Sequence, residues 1–190
     1  MKICIVGHGP SLVGKELGST IDSHDLVVRL KGSAGVIGSK DYGNRCDVLC
    51  MSTEVTGIGY AFKPEMFWLY PKKGDYDRSV IGTFVGDIGR AVLLPLELCR
   101  VWNNNFREMG ATHPNVSTGM AAIIIAANYL SPSQITLAGF DTLIDPSVPF
   151  SRNDAIPRTG SGEIPHDWKC ERMLLDMVAE TYKFSIGVVK

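Results

Sequence analysis

Residues 121–127, Ala-Ala-Ile-Ile-Ile-Ala-Ala, follow directly on Pro114-Asn115-Val116-Ser117-Thr118-Gly119-Met120, and no position in the run is polar. A helix that is apolar all round has to be covered all round, so this segment demands other layers of structure to bury it. Its entry is equally specific. Ser117 or Thr118 can cap the first turn, and Gly119 would let a ligand approach a backbone whose first amides lack intrahelical partners. Such a helix start is a ready anion site.

The remaining periodicity reads as alternating strands and helices with no repeats, no low-complexity tract and no interdomain linker. Strands are expected at 2–6, 26–30, 47–51, 66–70, 134–138 and 184–189. Helices are expected near 12–17, at 87–103 with Pro95 as a kink, at 118–129 and at 166–182. The segment 145–165, rich in Pro, Ser, Gly and Asp, reads as a long loop. At 190 residues the chain fits one domain, 1–190, burying roughly 70% of its unfolded surface.

Lys and Arg number 19 against 20 Asp and Glu, so there is no global basic field and no nucleic-acid partner is expected. The first residues are too soon interrupted for a signal peptide, and no apolar run approaches the ~20 residues of a membrane span. A soluble cytoplasmic protein is the expectation. Five cysteines, Cys4, Cys46, Cys50, Cys99 and Cys170, show neither C-x-x-C pairing nor zinc-like spacing and read as reduced core thiols.

The glycine turn after the first strand, Gly7-His8-Gly9-Pro10-Ser11, invites two nucleotide readings. Residues 9–15 approach a P-loop, but Glu16 stands where a magnesium-binding hydroxyl belongs and would repel phosphate. A dinucleotide fingerprint fails because Leu12 replaces its third glycine. The turn can still set backbone amides against a phosphate or a sugar.

The next strand is preceded by Ile21-Asp22-Ser23-His24-Asp25 and carries Arg29. With residues 6–12 upstream, it resembles the large sialylmotif of the eukaryotic-type sialyltransferases. Residues 114–120, with Gly139-Phe140 after the following helix and strand, resemble the small sialylmotif. His166-Asp167-Trp168-Lys169-Cys170-Glu171 has the His-x4-Glu pattern of the very-small motif, and all three occur in the family's order.

The resemblance implies a single Rossmann-like α/β domain, a GT-A-like variant with a mostly parallel sheet flanked by helices. It also implies an inverting, metal-independent transferase needing no cofactor, which uses CMP-sialic acid or a related CMP-sugar donor and a glycan acceptor. His166 would be the general base, kept neutral by the positive end of the last helix. Glu171, just over one turn on, would fix the histidine or the local backbone, or else be a solvated helix residue. His8, Gly9, Ser11, Lys31, Ser117, Thr118, Gly119, Gly139 and Phe140 would line the donor site. His8 stands where the family has Asn, and Lys31 where it commonly has Asn, so a cation can meet the phosphate.

Asp25 and Arg29 read as structural, Arg29 through a buried carboxylate. The family also has a histidine shortly before the base, which assists the leaving phosphate. Residues 145–165 contain none, and Arg152 or Arg158 would have to supply the charge there. The family's disulfide lacks its second cysteine here. Tyr60, Trp68, Tyr70 and Trp102 are either core or acceptor contacts. The alternatives are a nucleotide- or glycan-binding module without transferase activity, or a CMP-sugar hydrolase.

Overall fold

The structure, a computed structural model, describes residues 1–52, 64–71, 91–148 and 166–189. Among the described residues seven strands form one sheet: β1 (Lys2–Val6), β2 (Leu26–Leu30), β3 (Val48–Ser52), β4 (Met66–Tyr70), β5 (Ala91–Leu93), β6 (Gln134–Ala138) and β7 (Ser185–Val189). Their order is β5-β4-β3-β2-β1-β6-β7, and every pairing is parallel. The order reverses between β1 and β6. In an open α/β sheet that reversal opens a crevice at the carboxyl ends of the strands, which is where ligands bind.

Alternation along the strands sends side chains to two faces. Ile3, Ile5, Val28, Leu30, Val48, Trp68, Ile135 and Leu137 belong to one large core. That core is completed by α2 (Leu96–Glu108), α3 (Thr118–Leu130), the short α4 (Asp141–Ile144) and α5 (Trp168–Tyr182). Cys4, Val6, Val27 and Ala138 face the other way, against Leu12, Ile21 and Tyr42. Helix α3 is buried from Gly119 through Ala127 without a break, as its uniform apolarity requires. The single mostly parallel sheet expected from the sequence is thus realised as an all-parallel one.

Two helix expectations are corrected. Residues 12–17 are not helical: after a short 3-10 turn, Pro10–Leu12, both Gly14 (φ 73°) and Glu16 (φ 52°) adopt left-handed backbone. Their amides donate to Asp41, at 2.8 and 2.9 Å. The helix forms later, as α1 (Gly18–Asp22). The expected helix at 87–103 with a kink at Pro95 divides into β5, paired to β4, and α2, for which Pro95 is the N-cap. Proline has no N–H to give a helix interior, so it marks the start of one. The loop expected at 145–165 lies mostly outside the described residues. Among the described residues no helix is long and apolar enough to cross a membrane.

The five cysteines are free, with Cys4, Cys50 and Cys99 buried. Burial pushes the thiols of Cys4 and Cys46 up to about 12 and that of Cys99 to about 11. They behave as small apolar side chains.

Candidate functional site

Three chain segments meet at the carboxyl end of the sheet: the turn after β1, the turn after β6 and the first turn of α3. Glycine makes the meeting possible. A Cβ on Gly119 would stand 2.6 Å from Cε1 of Phe140, and one on Gly7 would stand 2.6 Å from the Gly139 carbonyl. Gly139 itself has φ 67°, left-handed backbone that favours glycine. The Gly7 amide donates to Ala138 and the Gly9 amide to Gly139, both at 2.8 Å.

This geometry revises several expected roles. Gly119 was expected to admit a ligand, but the space above it is filled by the Phe140 ring, which is itself buried. The Ser11 amide donates to Asp141 at 3.1 Å, so a carboxylate already stands at the start of the 3-10 turn. His8 Nε2 lies 3.0 Å from the Leu30 carbonyl, tying the turn after β1 to the end of β2. Immediately after Leu30, Lys31 takes φ 35°, a left-handed conformation that a lysine rarely adopts.

Ser117 is the N-cap of α3. Its Oγ accepts from the Met120 amide at 3.1 Å and donates to Glu171 Oε2 at 2.7 Å, while its own amide donates to Glu171 Oε1 at 2.7 Å. The hydroxyl expected to meet a phosphate is therefore committed inside the protein. Thr118 Oγ1 lies 2.9 Å from Tyr70 OH. What the helix start still offers is the pair of amides of Thr118 and Gly119, which have no place in the i to i−4 ladder.

Glu171 is fully buried in the first turn of α5. Burial pushes its carboxyl up to about 7, against the two hydrogen bonds from Ser117 that favour its charged form. His166 lies one residue before the Asp167 N-cap of α5, outside the helical turn in which it was expected. Its Nδ1 is 3.6 Å from Glu171 Oε1. Its ring lies against Trp168, with centroids 4.9 Å apart, and against His113, with centroids 5.7 Å apart.

Asp167 holds the approach to α3 from the other side. Its carboxylate accepts from the His113 amide at 2.8 Å and from Thr112 Oγ1 at 3.1 Å. These bonds, the one from the His113 amide foremost, hold its carboxyl below the ordinary range. Residues 112–117 are thereby clamped to residues 167–171 at both ends. Sequence reasoning passed over His113, Asp141 and Asp167. The signal was faint: His113 adjoins the Pro114 that opens the small-motif segment, and Asp167 sits inside the very-small one.

The acidic cluster upstream of β2 is scaffold. Asp22 accepts from the Asn44 and Arg45 amides at 2.7 and 3.0 Å, and Asp25 from the Lys2 amide at 2.7 Å. His24 bonds Thr136 Oγ1 at 2.9 Å. Arg29 is fully buried as expected, but its partners are the carbonyls of Arg45 (2.7 Å) and Tyr42 (2.5 Å), and no carboxylate pairs with it among the described residues. Carbonyl oxygens crowd this strand end because the 42–45 turn folds over it. Trp68, Tyr70 and Trp102 are core residues. Tyr60, Arg152 and Arg158 lie outside the described residues.

Residues 1–72 match glycosyltransferase family 29 (sialyltransferase). No curated protein sequence matches the chain. Among solved structures, a mammalian sialyltransferase in complex with Gal-β1-3GalNAc-ortho-nitrophenol matches with a TM-score of 0.64 at 19% identity, over 100% of this chain and 69% of the other. A second mammalian sialyltransferase structure matches with a TM-score of 0.65 at 18% identity, over 100% of this chain and 68% of the other. At such identities these likenesses give the fold, and the N-terminal match adds the sequence. Residues 1–72 thus carry a sequence match to glycosyltransferase family 29 (sialyltransferase), and the whole length shares the fold of the mammalian sialyltransferase structures.

Proposed function

We propose that this protein transfers sialic acid or a related nonulosonate from a CMP-sugar to a glycan hydroxyl, with inversion and without a metal or other cofactor. The observation that carries this reading is the Ser117–Glu171–His166 connection, which joins the α3 helix start to the imidazole ahead of α5. A phosphate cradle and a base are the two groups that the chemistry needs, and this connection supports assigning them to the α3 helix start and to His166.

In the proposed reaction the acceptor oxygen attacks the anomeric carbon from the face opposite CMP. The bond from that carbon to the phosphate oxygen breaks, and CMP leaves with the electron pair. The proton of the acceptor hydroxyl passes to His166 Nε2, the nitrogen on the far side of the ring from Glu171. An oxocarbenium-like centre forms between the two, as in glycosyl transfer generally. The phosphate is met by the amides of Thr118 and Gly119 and by Lys31, with His8 lining the same end of the sheet. Gly9, Ser11, Ser117, Gly139 and Phe140 shape the pocket chiefly through backbone and packing. Glu171 orients His166 and anchors the helix that binds the donor.

A thermal-shift panel of CMP, UMP, GDP and AMP tests the donor. Stabilisation by CMP is expected, and stabilisation by another nucleotide in its place would sink the assignment. His166→Ala tests the base: kcat should fall on the order of 10²–10⁴-fold with the fold retained. Transfer at the native rate would exclude His166 from that role.

A further inference from the structure

Two residues follow Gly139 out of β6, and their side chains go to different flanks of the crevice. The Phe140 ring fills the space above Gly119, while the Asp141 carboxylate reaches the turn after β1, where a Cβ on Gly9 would stand 2.6 Å from its Oδ2. Gly9 is therefore the residue that admits this carboxylate. Oδ2 accepts from the Ser11 amide at 3.1 Å. Gly9 is pinned in turn, its amide donating to Gly139 at 2.8 Å and its carbonyl accepting from Tyr42 OH at 3.1 Å. Asp141 thus holds a fixed place where the strand order reverses between β1 and β6, the position at which open α/β sheets take their ligands.

Within the protein only one of its oxygens is engaged. Among the described residues none donates to Oδ1 and no cation pairs with the carboxylate, although the residue is half-buried. An ionised oxygen of this kind accepts hydrogen bonds from neutral donors and repels phosphate. The amides of Thr118 and Gly119 lie on the other flank, where the Phe140 ring packs over Gly119. One side chain therefore spans the gap between a cradle for an anion and an acceptor that rejects one. In a nucleotide the ribose stands next to the phosphate and carries two hydroxyls side by side, while the base lies beyond it. A phosphate on the α3 amides brings that diol, rather than the cytosine amino group, to Asp141. Acids that hold ribose hydroxyls serve the same purpose in dinucleotide-binding sheets.

We infer that Asp141 recognises the ribose of the sugar-nucleotide donor, its Oδ1 accepting from the 2′- and 3′-hydroxyls, and so restricts the site to ribonucleotides. The inference rests on the donor reading above. The Ser11 amide, by holding Oδ2, fixes the carboxylate and leaves Oδ1 for the sugar. A carboxylate that only anchored the turn after β1 would be indifferent to which nucleotide enters.

Calorimetric titration of the full chain with CMP, 2′-deoxy-CMP, 3′-deoxy-CMP and UMP tests this in the native protein, Asp141→Asn and Asp141→Ala. The native protein should bind CMP on the order of 10–100-fold more tightly than either deoxy nucleotide, as a hydrogen bond to a charged group implies. In Asp141→Ala that preference should all but vanish. Asp141→Asn keeps an oxygen for the Ser11 amide and should hold the native Tm while the preference falls several-fold, so the test stands even where Asp141→Ala does not fold. Because the reading is a ratio within each protein, stability lost to a substitution does not enter it. If the native chain binds CMP and both deoxy nucleotides alike, or the variants keep the native ratios, Asp141 has no part in recognising the ribose. Loss of a preference for CMP over UMP, with the preference over the deoxy nucleotides intact, would put the carboxylate on the base and overturn the inference. If CMP does not bind the native chain, the donor reading and this inference fall together.

Discussion

Glu171 receives two hydrogen bonds from Ser117, one from its amide and one from its hydroxyl, each 2.7 Å long, although 54 residues separate the pair. The carboxylate thus takes over one of the orphan donors that a helix start leaves, while the serine hydroxyl takes another, the Met120 amide. The first turn of α3 and the first turn of α5 are locked at their N-terminal ends, beside His166.

Removing the hydroxyl should be costly for stability. In Ser117→Ala the Met120 amide loses its cap and a buried Glu171 oxygen loses its donor. We expect a loss of about 2–4 kcal/mol, combining an N-cap with a buried unsatisfied carboxyl oxygen. Urea unfolding followed by far-UV circular dichroism measures it, and a cost under about 0.5 kcal/mol, as at an ordinary surface site, would contradict the lock.

The buried carboxyl of Glu171 gives stability a particular pH dependence. Its folded pKa, about 7, is raised from the ordinary 4.5, so between these values the folded state holds a proton that the unfolded state has lost. Stability contributed by the protonated group is complete below about pH 4.5 and is lost as pH rises to about 7, a change of about 3 kcal/mol. Asp167 and Asp41, whose pKa values are lowered from 3.8, act only in the window below that value. Tm should therefore decline from pH 4.5 to 7 in the native chain and be flatter in Glu171→Gln. Identical slopes in the two proteins would refute the assignment.

Gly119→Ala tests the packing of the helix start. The added methyl would stand 2.6 Å from the Phe140 ring, and overpacking of this kind costs about 1–3 kcal/mol. Combining it with Phe140→Leu should recover part of that loss, because the two positions share one space. Strict additivity in the double-mutant cycle would show that the clash is relieved elsewhere.

Lys31 should separate stability from binding. Its φ of 35° is unfavourable for a lysine, so Lys31→Gly should leave stability unchanged or raise it by up to about 1 kcal/mol. The same change removes the cation proposed to meet the phosphate, a charge-assisted contact of about 1.5–3 kcal/mol, so CMP affinity should fall on the order of 10–100-fold. Calorimetric titration reads the second effect, and unchanged affinity would exclude Lys31 from the donor site.

Strong local signals were legible without coordinates. β1, β2, β4 and β6 begin and end where their apolar runs do, and α3 starts at the residue after its Ser cap. β5 was hidden because three residues, Ala91–Leu93, carry no period of their own beside a longer helical pattern, and only pairing with β4 makes them a strand. Residues 12–17 misled for a similar reason. Their apolar spacing suits a helix, yet Asp41, far along the chain, takes the amides at 14 and 16. At the site, His166 and Glu171 stood out as a spaced pair, whereas His113 only adjoins the small-motif segment and its place beside His166 was set by the fold.

By itself the sequence determined the class of architecture, an alternating α/β chain around a uniformly apolar helix, and three short segments that resemble sialylmotifs, the first of them within the matched residues 1–72. Both are local matters, set by the period of apolar residues and by side chains within a few positions of one another. The tertiary structure decided which polar groups are spent inside the protein and which remain for a ligand. Ser117 goes to Glu171, Ser11 to Asp141 and the space above Gly119 to Phe140, while the amides of Thr118 and Gly119 are left over. Hydrogen bonds and close packing form between residues far apart in the chain, so no local pattern can assign them.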